Sequence, residues 1–317
     1  MRGDFIESMH VAYAVVVDGD GLIVKNWGDP NYITCIRSSL KPFQASAAVL
    51  EGATEAAGFT SEELALMCAS HNGEEMHVTT AQGMLEKLGY DISYYECGSH
   101  APYDQNAKFE LIRNSNDPTP LHNNCSGKHA GMLCLAKHLG AGPSGYTQVD
   151  HPVQQAIIKQ IKKYSELDDF PLAVDGCSAP VPFMPLYNIA LMYQKLASGE
   201  HGDMNVLYEA MISHPMLVAG TNRFDTDFIL ALDGRAVTKV GGEAVRGLGI
   251  RKEDGSVLGI GIKMLDGNQR CMPSVAVSIL ENLELLTSAE LKKLDKYSNI
   301  SLKNHRQIEV GSITIEI

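Results

Sequence analysis

Strand-like stretches occupy both ends of this 317-residue chain, and helix-like stretches fill its middle. Near the N-terminus, Val11 to Val17 and Leu22-Ile23-Val24 flank Asp18-Gly19-Asp20-Gly21, the pattern of a β-hairpin. In the last third, Arg235 to Ile250, Ser256 to Met264 and the tail Ile308 to Ile317 read as strands, the tail with clear alternation. Ser274 to Leu286, between them, reads as a helix. Strands supplied by both ends must meet if they are to pair. The chain is therefore expected to be α/β (α+β): a single domain over 1–317, whose mainly antiparallel sheet draws on roughly 1–36 and 233–317. Flanking helices and an inserted helical region, roughly 37–232, complete it.

Helix signals punctuate the insert. Thr60-Ser61-Glu62-Glu63 is a capping-box pattern. Glu74 to Lys87 stops at Gly89, and Lys128 to His138 closes on Gly140. His151 to Tyr164 and Met184 to Ala197 read as two more helices bracketing a short strand, Leu172-Ala173-Val174.

Several function classes are disfavoured. A formal net charge of -12, with no Lys/Arg cluster among aromatics, argues against nucleic acid or an anionic membrane as partner. No apolar run reaches membrane-spanning length. Met1-Arg2-Gly3-Asp4 lacks a secretory h-region, and the seven cysteines are an odd, scattered set with no Cys-x-x-Cys. These features lead us to expect reduced thiols and a cytoplasmic protein.

Four segments could carry chemistry. In Arg37-Ser38-Ser39-Leu40-Lys41-Pro42, Ser38 and Lys41 lie three apart at a helix start, where proline is tolerated. A serine becomes a nucleophile only when a base takes its proton, so the pair is a candidate nucleophile and base. By itself the motif also fits a serine cap with a solvated lysine. Ala69-Ser70-His71-Asn72-Gly73-Glu74 packs polar groups at a helix-to-helix turn, where Ser70 could relay protons. Adjacent residues rarely face each other, which weighs against His71 as its base. Asn123 to Gly131 contains Cys125, Lys128 and His129 at a loop opening into a helix, without phosphate-loop spacing. Val174-Asp175-Gly176-Cys177 ends a strand in a turn. Finally, Lys263 stands alone on an apolar strand, where partial burial would depress its pKa and make it a plausible base.

Taken in order, these segments resemble the rhizobial-type (class 3) L-asparaginases of the asparaginase II family. The likeness includes Arg37-Ser38 with Lys41-Pro42, Ser70-His71-Asn72-Gly73-Glu74, Asn124-Cys125-Ser126-Gly127-Lys128-His129, His151-Pro152-Val153-Gln154, Asp175-Gly176-Cys177, His214-Pro215 and Arg223-Phe224-Asp225-Thr226. It departs at Gly241-Gly242-Glu243-Ala244, where Gly-Ala-Glu-Gly is expected. The resemblance implies a serine β-lactamase/glutaminase-like fold and hydrolysis of L-asparagine to aspartate and ammonia. It implies two Ser-Lys pairs, Ser38 with Lys41 and Ser70 with Lys263. Zinc would be held by Cys125, Lys128 and Cys177. Arg37, His71, Asn72, Lys128, His129 and Asp175 would contact substrate, and the enzyme would be a homodimer. A glutaminase, or a zinc-stabilised binding protein without catalysis, stays open as an alternative. A β-lactamase is disfavoured, since Ser-Asp-Asn and Lys-Thr-Gly partners are missing.

Overall fold

A computed structural model describes residues 1–317. Ten strands form three sheets: β1 Ala12–Val17, β2 Ile23–Trp27, β3 Ile33–Cys35, β4 Leu172–Val174, β5 Pro180–Pro185, β6 Ala236–Gly241, β7 Val245–Arg251, β8 Val257–Met264, β9 Ile300–Lys303 and β10 Glu309–Ile313. The main sheet is antiparallel throughout in the order β2-β1-β8-β7-β6, so both chain ends do build it. The tail does not join it. β10 pairs with β9 in a separate two-stranded ribbon. No helix is long and apolar enough to cross a membrane.

Alternation along the strands divides the interior in two. Ala14, Val16, Leu248, Ile250, Ile260 and Ile262 face one core, shared with the helices Phe224–Ala231 and Met272–Asn282. Val15, Val17, Val237 and Val245 face the larger core under the inserted helices. On that second face, Gly247 and Gly249 of β7 and Gly259 and Gly261 of β8 leave a bare stripe. The helix Leu186–Ser198 lies directly on it: a Cβ at Gly259 would sit 2.0 Å from the Ala190 carbonyl oxygen, and one at Gly247 would sit 1.9 Å from the Tyr193 ring. Backbone contact at this seam fixes the inserted region against the sheet.

Several boundaries differ from the sequence reading. The apolar, alanine-rich run Phe43 to Ala57, which by its composition would read as one helix, is broken at Gly52, whose φ of 74° is left-handed, into helices Lys41–Leu50 and Ala53–Ala56. Arg235 to Ile250 is a hairpin, β6 and β7, with its turn at Gly242-Glu243-Ala244. The expected helix from Met184 begins at Leu186, because Pro180–Pro185 is strand β5. The helices Gln105–Arg113, Gly202–Ser213, Phe224–Ala231 and Ser288–Ser298 have no counterpart in the sequence reading.

Candidate active site

A polar cavity of about 890 Å³ opens between the sheet edge β6 and the inserted region. Ser38, Ser70, Arg37, Asn72, Asp175 and Arg223 are among its lining residues. Strand β3 delivers the chain into a 3-10 turn, Arg37–Leu40, from which the helix Lys41–Leu50 continues with Pro42 in its first turn. Arg37 adopts a φ of 44°, a left-handed conformation uncommon outside glycine. Its guanidinium is held by two carboxylates: Nε donates to Asp175 Oδ1 at 2.8 Å, Nη2 lies 2.8 Å from the same oxygen, and Nη1 lies 3.5 Å from Glu243 Oε1. β3 and β4 both pair with β5, and this small sheet brings Arg37 and Asp175 together from 138 residues apart.

Lys41 is fully buried beneath the cavity. Its Nζ donates to the Ala69 carbonyl, to Ser70 Oγ at 2.9 Å and to the Asn124 carbonyl at 3.0 Å. All three ammonium protons are thereby used, and Ser38 Oγ is not among the acceptors. The physical reason is local. Ser38 sits on the 3-10 turn while Lys41 begins the α-helix and reaches inward, so the two do not stack along one α-helical face as the spacing suggested. The expected Ser70–Lys263 hydrogen bond is not formed either. Lys263 lies on β8, separated from the cavity edge by β7 and β6, and donates to the Glu243 carbonyl. Burial lowers its pKa, with Glu243 and Asp266 opposing.

The sequence reading passed over a different lysine. Lys239 on β6 is fully buried, donates to the Val240 carbonyl at 2.9 Å and lies 3.7 Å from Asp225 Oδ2. Burial pushes its pKa down to about 7, Asp225 opposing and the Lys41 charge adding to the depression. The strand end it precedes packs tightly on the Ser38 turn. Ser39 Oγ donates to the Lys239 carbonyl at 2.9 Å, and a Cβ at Gly241 would sit 2.7 Å from the Ile36 oxygen. Its signal was legible: a single lysine in an apolar strand, followed by Gly241-Gly242.

Ser70 N–H and Asn72 N–H donate to the carbonyls of Val218 and Ala219. Ser70 and Asn72 line the cavity, whereas His71 between them is fully buried in the core. His71 therefore does not reach the cavity as expected. Its Nδ1 accepts from Gly73 N–H, leaving Nε2–H to donate to Ser126 Oγ at 2.9 Å, and its ring stacks on His77 at 4.7 Å. Burial lowers the pKa of both imidazoles, the effect being largest for His71.

Cys125 caps the helix Ser126–His138, and with Cys177 it lines the cavity wall. Lys128 and His129, one turn into that helix, are buried behind the wall and do not line the cavity. Lys128 Nζ donates to Cys177 Sγ at 2.8 Å. Cys125 Sγ donates to Asn124 Oδ1 at 3.0 Å. The neighbouring Cys125 thiol, and after it the Lys128 ammonium, lower the Cys177 pKa against the effect of burial, while Cys177 and burial together raise that of Cys125. His129 Nδ1 meets the Tyr146 hydroxyl at 2.7 Å, while its buried Nε2 has no partner. No three His, Cys, Asp or Glu side chains converge as a metal-holding group. The convergence is of two sulfurs and one amine, beside an orphaned imidazole nitrogen, and this donor chemistry suits a thiophilic cation.

The family profile described as L-asparaginase II matches residues 1–315. No curated protein matches significantly. Among solved structures, Mglu in its native form aligns with a TM-score of 0.47 and 15% identity, over 88% of this chain and 66% of that one. The β-lactamase from Francisella tularensis aligns with a TM-score of 0.44 and 15% identity, over 87% of this chain and 94% of that one. With a match along essentially its whole length, the chain belongs to the L-asparaginase II family of amidohydrolases.

Proposed function

We propose that this protein hydrolyses L-asparagine to L-aspartate and ammonia through an acyl-enzyme in the polar cavity. The observation that carries the reading is the buried Lys41, hydrogen-bonded to Ser70 at 2.9 Å under a cavity that Ser38 also lines. With Lys41 as its neutral amine, Ser38 Oγ attacks the side-chain amide carbon and passes its proton to Ser70 Oγ, which gives its own proton to Lys41 Nζ. Ser70 returns a proton to the departing nitrogen, which leaves as ammonia, and a β-aspartyl ester remains on Ser38. Water then attacks the ester, and the same pair moves the proton back to the serine. Ser38 N–H, which has no backbone acceptor at the start of this turn, would donate to the developing oxyanion. Lys239, with a pKa near 7, supplies a second amine able to exchange a proton at neutral pH.

Zinc, when bound by Cys125, Cys177 and Lys128 as its neutral amine, would polarise or position a polar substrate group at the cavity wall. Lys128 must shed a proton to bind it, so loading would be favoured at higher pH. Without metal, the hydrogen bond from Lys128 Nζ to Cys177 Sγ holds that wall.

A second reading makes Ser70 the nucleophile, favoured by its direct hydrogen bond to Lys41. Intact-mass spectrometry during turnover of asparagine separates the two. Ser38→Ala is expected to abolish both ammonia release and the acyl adduct while the protein stays folded. Persistence of the adduct in Ser38→Ala and its loss in Ser70→Ala would transfer the nucleophile. Because residues acting as a unit are non-additive, adding Lys41→Met to Ser38→Ala should cost little further activity. Failure of the wild-type enzyme to release ammonia from asparagine would refute the proposal.

A further inference from the structure

We propose that the guanidinium of Arg223 binds the α-carboxylate of the substrate, an assignment that rests on the amide-hydrolase reading above. Only two lysine or arginine side chains line the cavity, Arg37 and Arg223. Arg37 is already engaged by Asp175 and Glu243. Arg223 is half-buried and has no carboxylate partner. Its one side-chain hydrogen bond runs from Nη1 to the neutral amide oxygen Asn72 Oδ1, at 2.8 Å. The remaining guanidinium N–H groups are free for an anion, and their planar fork matches a carboxylate.

The position is preorganised. Asn72 Nδ2 donates to the Thr221 carbonyl at 2.9 Å and to Glu74 Oε1 at 3.0 Å. The Glu74 carboxylate in turn accepts from Thr221 N–H at 2.7 Å and Thr221 Oγ1 at 2.8 Å. A Cβ at Gly220 would sit 2.4 Å from Glu74 Oε1, so the loop carrying Arg223 closes directly onto this network. Ser70 lies on the same segment as Asn72, and both of their backbone N–H groups pair with residues 218–219. Arg223 is thus tied, through its neighbours, to the residue that Lys41 holds. An amino-acid amide can place its carboxylate on Arg223 while its amide lies toward the serines.

The test compares wild type with Arg223→Gln and Arg223→Lys in two assays. The first is ammonia release from L-asparagine and from 3-aminopropanamide, which is asparagine without its α-carboxylate. The second is calorimetric binding of L-aspartate. The preference for asparagine over 3-aminopropanamide in kcat/KM should fall about 10- to 100-fold in Arg223→Gln, as expected for loss of a charge-assisted bond. L-Aspartate affinity should fall by a similar factor, and Arg223→Lys should recover part of each. Equal losses on both amides, or aspartate affinity unchanged by Arg223→Gln or absent from wild type, would overturn the assignment. A wild-type protein that binds L-aspartate through Arg223 but releases no ammonia from asparagine would overturn the amidohydrolase reading alone.

Discussion

Asp225 offers the sharpest test of how the sheet edge is held against the serine turn. It is 2% exposed. Its Oδ1 accepts from Arg246 Nη1 at 2.6 Å, its Oδ2 accepts from Val240 N–H at 3.0 Å, and Lys239 Nζ lies 3.7 Å away. Burial alone would raise the carboxyl pKa. The cations Arg246 and Lys239 overcome it and hold the value below the ordinary range. Asp225→Asn keeps the shape and removes the charge. Arg246 is then a buried guanidinium that cannot deprotonate, and breaking such a pair costs about 3–5 kcal/mol.

Lys239 can escape by losing its proton, and this gives the loss a pH signature. In the wild type its pKa is already pushed down to about 7. Removing Asp225 lowers it further, because Asp225 is the group that raises it. Below pH 7 the wild-type lysine takes up a proton as the unfolded chain does, and contributes no further slope. In the variant the folded state stays deprotonated, so its stability continues to fall by up to about 1.4 kcal/mol per pH unit. Urea unfolding at pH 8 and pH 6 should therefore show a loss of about 3 kcal/mol at the higher pH and a larger one at the lower. Arg246→Met in the Asp225→Asn background should restore part of it. A loss under about 1 kcal/mol that is equal at both pH values would refute the buried-cluster reasoning.

Three further outcomes are expected. His71, His77 and His129 are buried neutral with pKa values below the ordinary 6.5, burial being the main cause. The stability they support is whole above that pH and drains as pH falls below it, so thermal midpoints should drop between pH 6.5 and 5, less steeply in His77→Gln; a flat wild-type profile would refute this. Elemental analysis should find about one zinc per chain, and Cys125→Ala should reduce it while weakening substrate binding more than acyl transfer; metal-free, active wild type would rule the zinc out. Gly259→Ala should cost at least about 3 kcal/mol, because backbone blocks the new methyl. By contrast, Gly83→Ala, in open space on the helix Glu75–Leu88, should gain about 1 kcal/mol; similar effects at both sites would undo the seam argument.

The strands at the chain ends were legible because branched apolar residues alternate there, and most helix ends because their caps are local. Thr60 and Glu63 form the capping box their spacing suggested. Strand β5 was not legible, since Pro180, Pro182 and Pro185 argue against a central strand. The register resolves the conflict: residues 180–182 pair only with β4 and residues 183–185 only with β3, so each half is an edge. The turn at Gly242-Glu243-Ala244 was hidden for a related reason. Ala244 takes the left-handed conformation, with a φ of 54°, that glycine normally marks.

The two apolar-strand lysines show where sequence logic stops. Lys239 and Lys263 present the same signature, and each is buried with a lowered pKa. What separates them is strand order, which puts β6 at the edge against the Ser38 turn and β8 in the middle of the sheet. Strand order follows from antiparallel closure between the two chain ends and from the glycine stripe that seats the helix Leu186–Ser198, neither of which is local to either lysine. The same holds for Ser70. Its partnership with Lys41, and its tie to Arg223, both depend on residues 70–72 pairing through their backbone with residues 218–219. Backbone pairing leaves no side-chain mark, so the residues of this site could be nominated one by one from the sequence while their partners could not.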